Sequence, residues 1–271
     1  MVYHGNCADG FGAAWCFWHK FKNDFEYFPG TYGKAPPDVK DRKVFLVDFS
    51  YKKNIILEML ESASQITVLD HHKSAIEDLQ EIKHPKFVLK ADLNRSGATL
   101  AWDYLFPDTQ RPILLNHIED RDLWRFKLSN TREIQSALFS YEYSFELWDS
   151  LMLGGATMTV ELMSQGIAIE RKHHRDVKEL VRVCSRQMYI GGYKVPVANL
   201  PYTMGSDGAN FLAIGQPFAG YYWDTASSRS FGLRSAEDGL DVSKIALKYN
   251  GGGHKHAAGF TVDRTHELAM C

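Results

Sequence analysis

The triplet Asp70-His71-His72 stands directly after an apolar run, Gln65-Ile-Thr-Val-Leu69. Asp and His both coordinate divalent cations, and such side chains in a row at a buried strand end would be costly to leave unpaired. Two other segments have the same form. Asp48 follows Lys43-Val-Phe-Leu-Val47, and His4 follows Met1-Val-Tyr3, with Asp9 on the loop before the next helix. In open parallel sheets ligands bind outside the carboxyl ends of the strands, so strand ends that each deliver Asp or His converge there. Carboxylates mixed with imidazoles, and no thiolate, suit Mn²⁺, Fe²⁺ or Co²⁺, and less selectively Mg²⁺ or Zn²⁺. Two such ions about 3.5–4 Å apart would activate a water and neutralise a phosphoryl group. Asp48 or Asp9 could be the carboxylate shared between them. Taken singly, these residues have plainer roles: His4 as a packed histidine, Asp9-Gly10 as a turn, Asp48 as a helix cap. The triplet together with Asp48 and His4 is what points to metal.

A fourth segment, His117-Ile-Glu-Asp-Arg-Asp-Leu-Trp124, is dense in acids before an apolar pair. Asp120 or Asp122 could complete the metal shell; surface ion pairs at a helix end are the plainer reading. A separate site is suggested near the C-terminus by Asn250-Gly-Gly-Gly-His-Lys-His-Ala-Ala-Gly-Phe260. Gly252 and Gly253 would let backbone N–H groups approach an anion. His254 and Lys255 would add charge-assisted bonds, and Arg234 could fork onto a phosphate. A hairpin loop is the competing reading.

The elements that must position these residues follow from the apolar pattern. Strands are expected at Met1–Tyr3, Lys43–Val47, Gln65–Leu69 and Phe87–Leu89. Helices are expected through Phe11, Ala14, Trp15 and Trp18, over Asn54–Ser62, and after Ser96 as N-cap. Continuous apolar strands alternating with helices imply a parallel sheet covered on both faces. Thr157 to Arg186 reads as a long charged helix. Beyond it come a hairpin over Tyr189–Ala198, strands at Phe211–Ile214, Tyr221–Trp223 and Ser230–Arg234, a helix over Val242–Tyr249 and a last strand at Gly259–Val262. The fold class is therefore α/β: an N-terminal parallel-sheet domain (1–156), a connecting helix (157–187) and a smaller C-terminal α/β domain (188–271).

The formal net charge of −2 provides no global basic field for long duplex nucleic acid, so a nucleic-acid partner should be short or gripped locally. The cysteines Cys7, Cys16, Cys184 and Cys271 show no CxxC pairing, which argues against a structural zinc site and fits a reducing compartment. With no signal-peptide pattern and no long apolar run, the expectation is a cytoplasmic protein with no membrane partner.

The chain resembles the DHH/DHHA1 phosphoesterase superfamily (nanoRNase and RecJ-like phosphodiesterases) over most of its length. His4-Gly-Asn-Cys-Ala-Asp9-Gly10 is similar to the first motif, Val47-Asp48 to the second, Asp70-His71-His72 to the namesake third and His117–Asp122 to the fourth. Gly251-Gly-Gly-His254 through Ala257-Ala-Gly-Phe260 resembles the DHHA1 signature. The resemblance implies metal ligation by His4, Asp9, Asp48, His71 and Asp120, with Asp48 bridging. It places His72 near the scissile phosphate with Asp70 orienting the histidines, and gives Arg234, Gly252, Gly253 and His254 to substrate binding. It further implies two Mn²⁺ ions, with Mg²⁺ or Co²⁺ as alternatives. The implied reaction is hydrolysis of a short oligonucleotide or a linear or cyclic dinucleotide to mononucleotides in an interdomain cleft; a homodimer is allowed. A phosphatase on pyrophosphate, polyphosphate or another small phosphorylated molecule is the second reading, and an inactive nucleotide-binding or scaffold module the third. One departure stands out. Many members carry two aspartates spaced by one residue in the first motif, and here only Asp9 is present, with Asn6 and Ala8 nearby.

Overall fold

Each apolar run in the first half of the chain becomes a strand of one sheet. The computed structural model describes residues 1–5 and 7–270, so Asn6 and Cys271 lie outside the described residues. In chain order the elements are β1 (Val2–His4), α1 (Ala8–Phe21), β2 (Phe28–Gly30), β3 (Lys43–Val47), α2 (Lys53–Ser62), β4 (Gln65–Asp70), α3 (Lys73–Leu79) and β5 (Phe87–Ala91). The strands form a five-stranded sheet of order β2-β1-β3-β4-β5, parallel throughout. Side chains alternate across it as a two-residue period demands. Val47 and Leu69 enter a core with Phe11, Trp15, Phe17 and Trp102. Val44, Leu46, Ile66 and Val68 enter another with Ile56, Met59 and Leu60 of α2. From β1 the chain passes outward to β2, and from β3 it proceeds the other way to β4 and β5. The direction reverses between β1 and β3, and the crevice at the carboxyl ends of those strands is where such sheets bind ligands.

Helices complete this unit: α4 (Gly97–Leu105), α5 (Ile113–Asp122), α6 (Thr131–Leu138), α7 (Phe145–Leu153) and the first half of the long α8 (Gly155–Cys184). Ser96 caps α4 as expected, in a capping box with Thr99. The chain divides into two compact units within α8, one ending at Glu170 and the other starting at Arg171.

The second unit contains β6 (Ser185–Ile190), β7 (Tyr193–Asn199), α9 (Tyr202–Ala213), β8 (Ala219–Asp224), β9 (Ser228–Arg234), α10 (Val242–Leu247), β10 (Gly252–Gly253), β11 (Ala257–Asp263) and α11 (Glu267–Met270). Its six-stranded sheet has the order β10-β11-β9-β8-β7-β6. The expected hairpin turns at Gly191-Gly192, whose φ values of 61° and 94° suit the two-residue turns that match strand twist. The strand expected at Phe211–Ile214 is instead the end of α9. Strands β7 and β8 are parallel, and a parallel pair needs a crossover, here a helix; a short apolar run cannot by itself reveal that. Arg186 and its neighbours, expected to end the long helix, open β6. Among the described residues no helix is long and apolar enough to cross a membrane.

Candidate metal centre

The strand ends deliver their side chains through tight local geometry. His4 closes β1, and α1 begins at Ala8, placing Asp9 in its first turn. The helix returns so close to the strand that a Cβ on Gly10 would lie 2.2 Å from the His4 carbonyl oxygen. Asp48, just past β3, has a φ of 53°, a left-handed conformation costly for a residue other than glycine and concentrated at functional sites. Its N–H is held by the Leu69 carbonyl at 2.9 Å. Asp9 is anchored at the start of α4, where its Oδ2 accepts from Gly97 N at 2.6 Å and its Oδ1 from Ala98 N at 3.0 Å. An anionic carboxylate is favoured there by the helix dipole and the unsatisfied N–H groups.

The His71 Nε2 faces three carboxylates: Asp48 Oδ1 at 3.0 Å, Asp122 Oδ2 at 3.5 Å and Asp9 Oδ2 at 3.7 Å. On the other side of Asp48, its Oδ2 lies 3.4 Å from His4 Nδ1. Two ligand sets result, Asp9–His71–Asp122 and His4–Asp48–His72, each with its donor atoms within 4.8 Å of one another. Asp48 contacts members of both. Asp70 is fully buried. Its Oδ1 accepts from His71 N at 2.8 Å, from His72 N at 3.1 Å and from His72 Nδ1 at 2.7 Å. It therefore fixes both the turn after β4 and the ring of His72.

The electrostatics call for a cation. Burial raises the Asp9 carboxyl well above its usual range, and the negative charges of Asp48 and Asp122 push it further. Burial likewise raises Asp122, aided by Asp48. Burial would also raise Asp48, but the imidazoles of His4 and His71 outweigh it and hold that carboxyl well below its usual range. Among the described residues, Asp122 Oδ2 and His4 Nδ1 are buried without a hydrogen-bond partner. Crowded carboxylates and unpaired buried donor atoms fit a divalent ion, and the oxygen and imidazole set suits Mn²⁺, Co²⁺, Fe²⁺ or Mg²⁺.

Helix α5 sorts the acids of the fourth segment. Asp120, placed among the ligands by the resemblance, is occupied elsewhere. It accepts from Lys127 N at 2.8 Å, Leu128 N at 3.0 Å and Thr131 Oγ1 at 2.6 Å, tying the turn that leads to α6. Thr131 in turn contacts His117 Nδ1 at 2.8 Å. Asp122, the alternative within the same segment, is the one brought to His71. Glu119 reaches the cap of α4. Two residues at the centre were not anticipated. Cys7, N-cap of α1, lies beside His4, and burial raises its thiol. A sulfur therefore adjoins a set expected to hold none. The signal was available, since the one-residue spacing of the superfamily's paired aspartates falls on Cys7 when counted back from Asp9. Tyr32 packs its ring 5.5 Å from that of His4 and 4.9 Å from that of Phe49; it lies in an irregular segment that gives no sequence cue.

In the second unit Arg234 ends β9 and donates to Ser206 Oγ at 2.7 Å and to the Leu233 carbonyl at 2.8 Å. Gly252 and Gly253 pair with Gly259 and Ala258 as strand β10, and a Cβ on Gly253 would meet the Ala257 carbonyl oxygen at 2.6 Å. Close strand approach thus accounts for at least part of the glycine run. His254 follows in the hairpin turn, its N–H donating to Ala257 O at 2.8 Å.

No family model matches the chain. An uncharacterized protein of Acanthamoeba polyphaga mimivirus is 30% identical over an alignment of 287 positions, covering 96% of this chain and 66% of that protein. The chain thus spans just under two thirds of that relative's length. Among solved structures, the DHH domain of a protein described as a member of a ribosomal-protein family aligns with a TM-score of 0.56 at 12% identity, over 97% of this chain and 82% of that one. A pGpG-specific phosphodiesterase from Vibrio cholerae aligns with a TM-score of 0.50 at 14% identity, over 97% of this chain and 92% of that one. The sheet, the carboxylates and imidazoles at its strand ends and these likenesses define one class: an α/β protein of the DHH fold. The chain has the fold of the DHH/DHHA1 superfamily and carries its namesake triplet as Asp70-His71-His72.

Proposed function

We propose that the protein is a metal-dependent phosphodiesterase that hydrolyses short nucleotide substrates, short oligonucleotides or dinucleotides, to mononucleotides with two Mn²⁺ ions. The observation that carries this reading is the pair of ligand sets meeting at Asp48, with His71 Nε2 ringed by Asp9, Asp48 and Asp122. Bound divalent ions would supply Lewis acidity toward the phosphoryl oxygens and lower the pKa of a coordinated water. His4, Asp48 and His72 would hold one ion and Asp9, His71 and Asp122 the other, with Asp48 adjoining both sets. Asp122 takes the role that the fourth motif suggested for Asp120. Asp70 keeps the His72 ring in one orientation, Nδ1 toward its own carboxylate, which would present Nε2 to the ion held with His4 and Asp48. On the second unit, Arg234 and His254 are groups that would suit a phosphate. A net charge of −2 favours a short substrate, and a pGpG-specific phosphodiesterase shares the fold.

The test is incubation of the purified chain with Mn²⁺ and a panel of di- to pentanucleotide RNAs, linear and cyclic dinucleotides and pyrophosphate. Mononucleotide release that disappears in Asp48→Ala supports the proposal. Orthophosphate from pyrophosphate with every nucleotide intact would replace it with a pyrophosphatase. Nucleotide binding without turnover would leave a binding module.

A further inference from the structure

The carboxylates at His71 are only as well placed as the helix start on which they rest. Asp9 is held by the N–H groups of Gly97 and Ala98. Asp48 lies against the same turn, since a Cβ on Gly97 would be 2.3 Å from the Asp48 Cβ. What fixes that turn is a side chain on another helix. Glu119 of α5 directs one oxygen at it. Its Oε2 accepts from Ser96 N at 3.2 Å, from Arg95 Nε at 2.9 Å and, closely, from Thr99 Oγ1. Its Oε1 faces Arg125 NH1 at 3.4 Å. Ser96 and Thr99 are the two halves of the α4 capping box. Glu119 also stands one helical turn before Asp122 on α5. One carboxylate thus ties the cap that carries Asp9 and buttresses Asp48 to the helix that carries Asp122.

We propose that Glu119 is a positioning residue of the metal centre, setting the spacing of Asp9, Asp48 and Asp122 around His71 through the α4 capping box. The inference rests on the metal-centre reading above. Glu119 is largely buried, its side chain 12% exposed, and burial would raise its carboxyl. The hydrogen bonds from Thr99, Arg95 and Ser96 outweigh burial and lower it, so it serves as a charged acceptor. Glu119→Gln keeps the volume, removes the charge and can turn an amide donor toward Ser96 N–H. Ligand placement must hold within about 0.2 Å for tight metal binding, and outer groups that orient ligands change metal affinity about 10–100-fold.

The experiment is Mn²⁺ titration of the full chain without substrate, by calorimetry, with electron paramagnetic resonance of the loaded protein to read coupling between paired ions. Thr99→Val, which deletes the bridging hydroxyl at nearly constant volume, is a second variant should Glu119→Gln fold poorly. Asp103→Asn is the control: Asp103 pairs with Arg95 and Arg111 in the same ion-pair network but does not touch the cap. The expected result is Mn²⁺ affinity at least 10-fold lower in Glu119→Gln, a smaller loss in Thr99→Val, altered coupling in both, and no change in Asp103→Asn. Folded Glu119→Gln and Thr99→Val with unaltered affinity and coupling would overturn the proposal, as would equal losses in Asp103→Asn. Failure of the unaltered chain to bind Mn²⁺ would instead overturn the metal-centre reading, and this inference with it.

Discussion

Asp120 and Asp122 lie on one helix, and replacing each with asparagine should move stability in opposite directions. In Asp120→Asn the side chain keeps one acceptor but loses the carboxylate oxygen that takes Leu128 N at 3.0 Å and Thr131 Oγ1 at 2.6 Å. Asp120 is 4% exposed, and hydrogen bonds to a charged group are worth about 1.5–3 kcal/mol each, so a loss of about 3 kcal/mol is expected. For a unit of this size that lowers Tm by about 6–12 °C. Asp122 behaves otherwise. Its carboxyl is raised by burial and by Asp48, so at neutral pH, above its unfolded pKa, its charge opposes folding of the metal-free protein. Asp122→Asn should therefore leave the metal-free Tm unchanged or raise it. With Mn²⁺ the two variants differ in the increment they gain. A ligand at about 100 times its Kd adds about 2.7 kcal/mol, which corresponds to about 5–11 °C here. Asp120→Asn should retain that increment from its lower baseline, while Asp122→Asn should lose most of it. Differential scanning calorimetry with EDTA and then with Mn²⁺ reads both effects. If the Mn²⁺ increment vanishes in Asp120→Asn and survives in Asp122→Asn, the assignment of α5 is reversed and the site geometry described above is wrong.

Four further substitutions test the surroundings of the centre and the second unit. Gly97→Ala places a methyl 2.3 Å from the Asp48 Cβ; relief to ordinary contact needs a shift of about 1 Å, which costs about 1–3 kcal/mol in overpacking and should lower Mn²⁺ affinity at least 10-fold by titration. Gly12→Ala, on the same α1–α4 contact but 3.1 Å from the nearest atom, should bind Mn²⁺ normally. Asp70→Asn should reduce kcat about 10–100-fold with Mn²⁺ stoichiometry intact, since Asp70 touches His71 and His72 and neither ligand set contains it; loss of bound metal would contradict this. In the second unit, the Asp224 carboxyl is lowered to about 2 by its bonds to Arg229 and Arg264. A depressed carboxyl stabilises the fold above its unfolded pKa, and that contribution is lost as pH falls toward 2. Tm measured between pH 5 and pH 2 should fall less steeply in Asp224→Asn than in the unaltered chain.

The parallel sheet and its strand ends were legible because apolar runs and the polar residues closing them are local signals. Lys43–Val47 and Gln65–Asp70 are strands at nearly the expected bounds. Strand β2 was not legible: it is short, contains Pro29 and lies at the sheet edge, where proline is tolerated. Helix α9 was hidden for the opposite reason. Its apolar end, Phe211-Leu-Ala, has strand-like composition, and only the parallel pairing of β7 with β8 demands a helix there. Within the fourth segment, composition could show that acids cluster but not which way each faces. Helical geometry decides that: Glu119 and Asp122, three residues apart, lie along one face toward α4 and His71, while Asp120 turns to the following loop.

The glycines show how a correct local signal can carry the wrong physical meaning. Asp9-Gly10 has the composition of a turn, yet both residues lie in α1. Gly10 is required because the helix crosses the His4 carbonyl too closely for any side chain, and Gly97 because α4 starts against Asp48. Neither has a positive φ, so conformational freedom is not the reason for either. Asp48 is the residue that takes the left-handed conformation, and a carboxylate is retained there despite a backbone cost on the order of 1 kcal/mol. Strain borne by a charged residue, and space surrendered by the neighbours facing it, both bring ligand atoms toward one point. Turn chemistry alone would have put glycine at position 48 and tolerated alanine at positions 10 and 97.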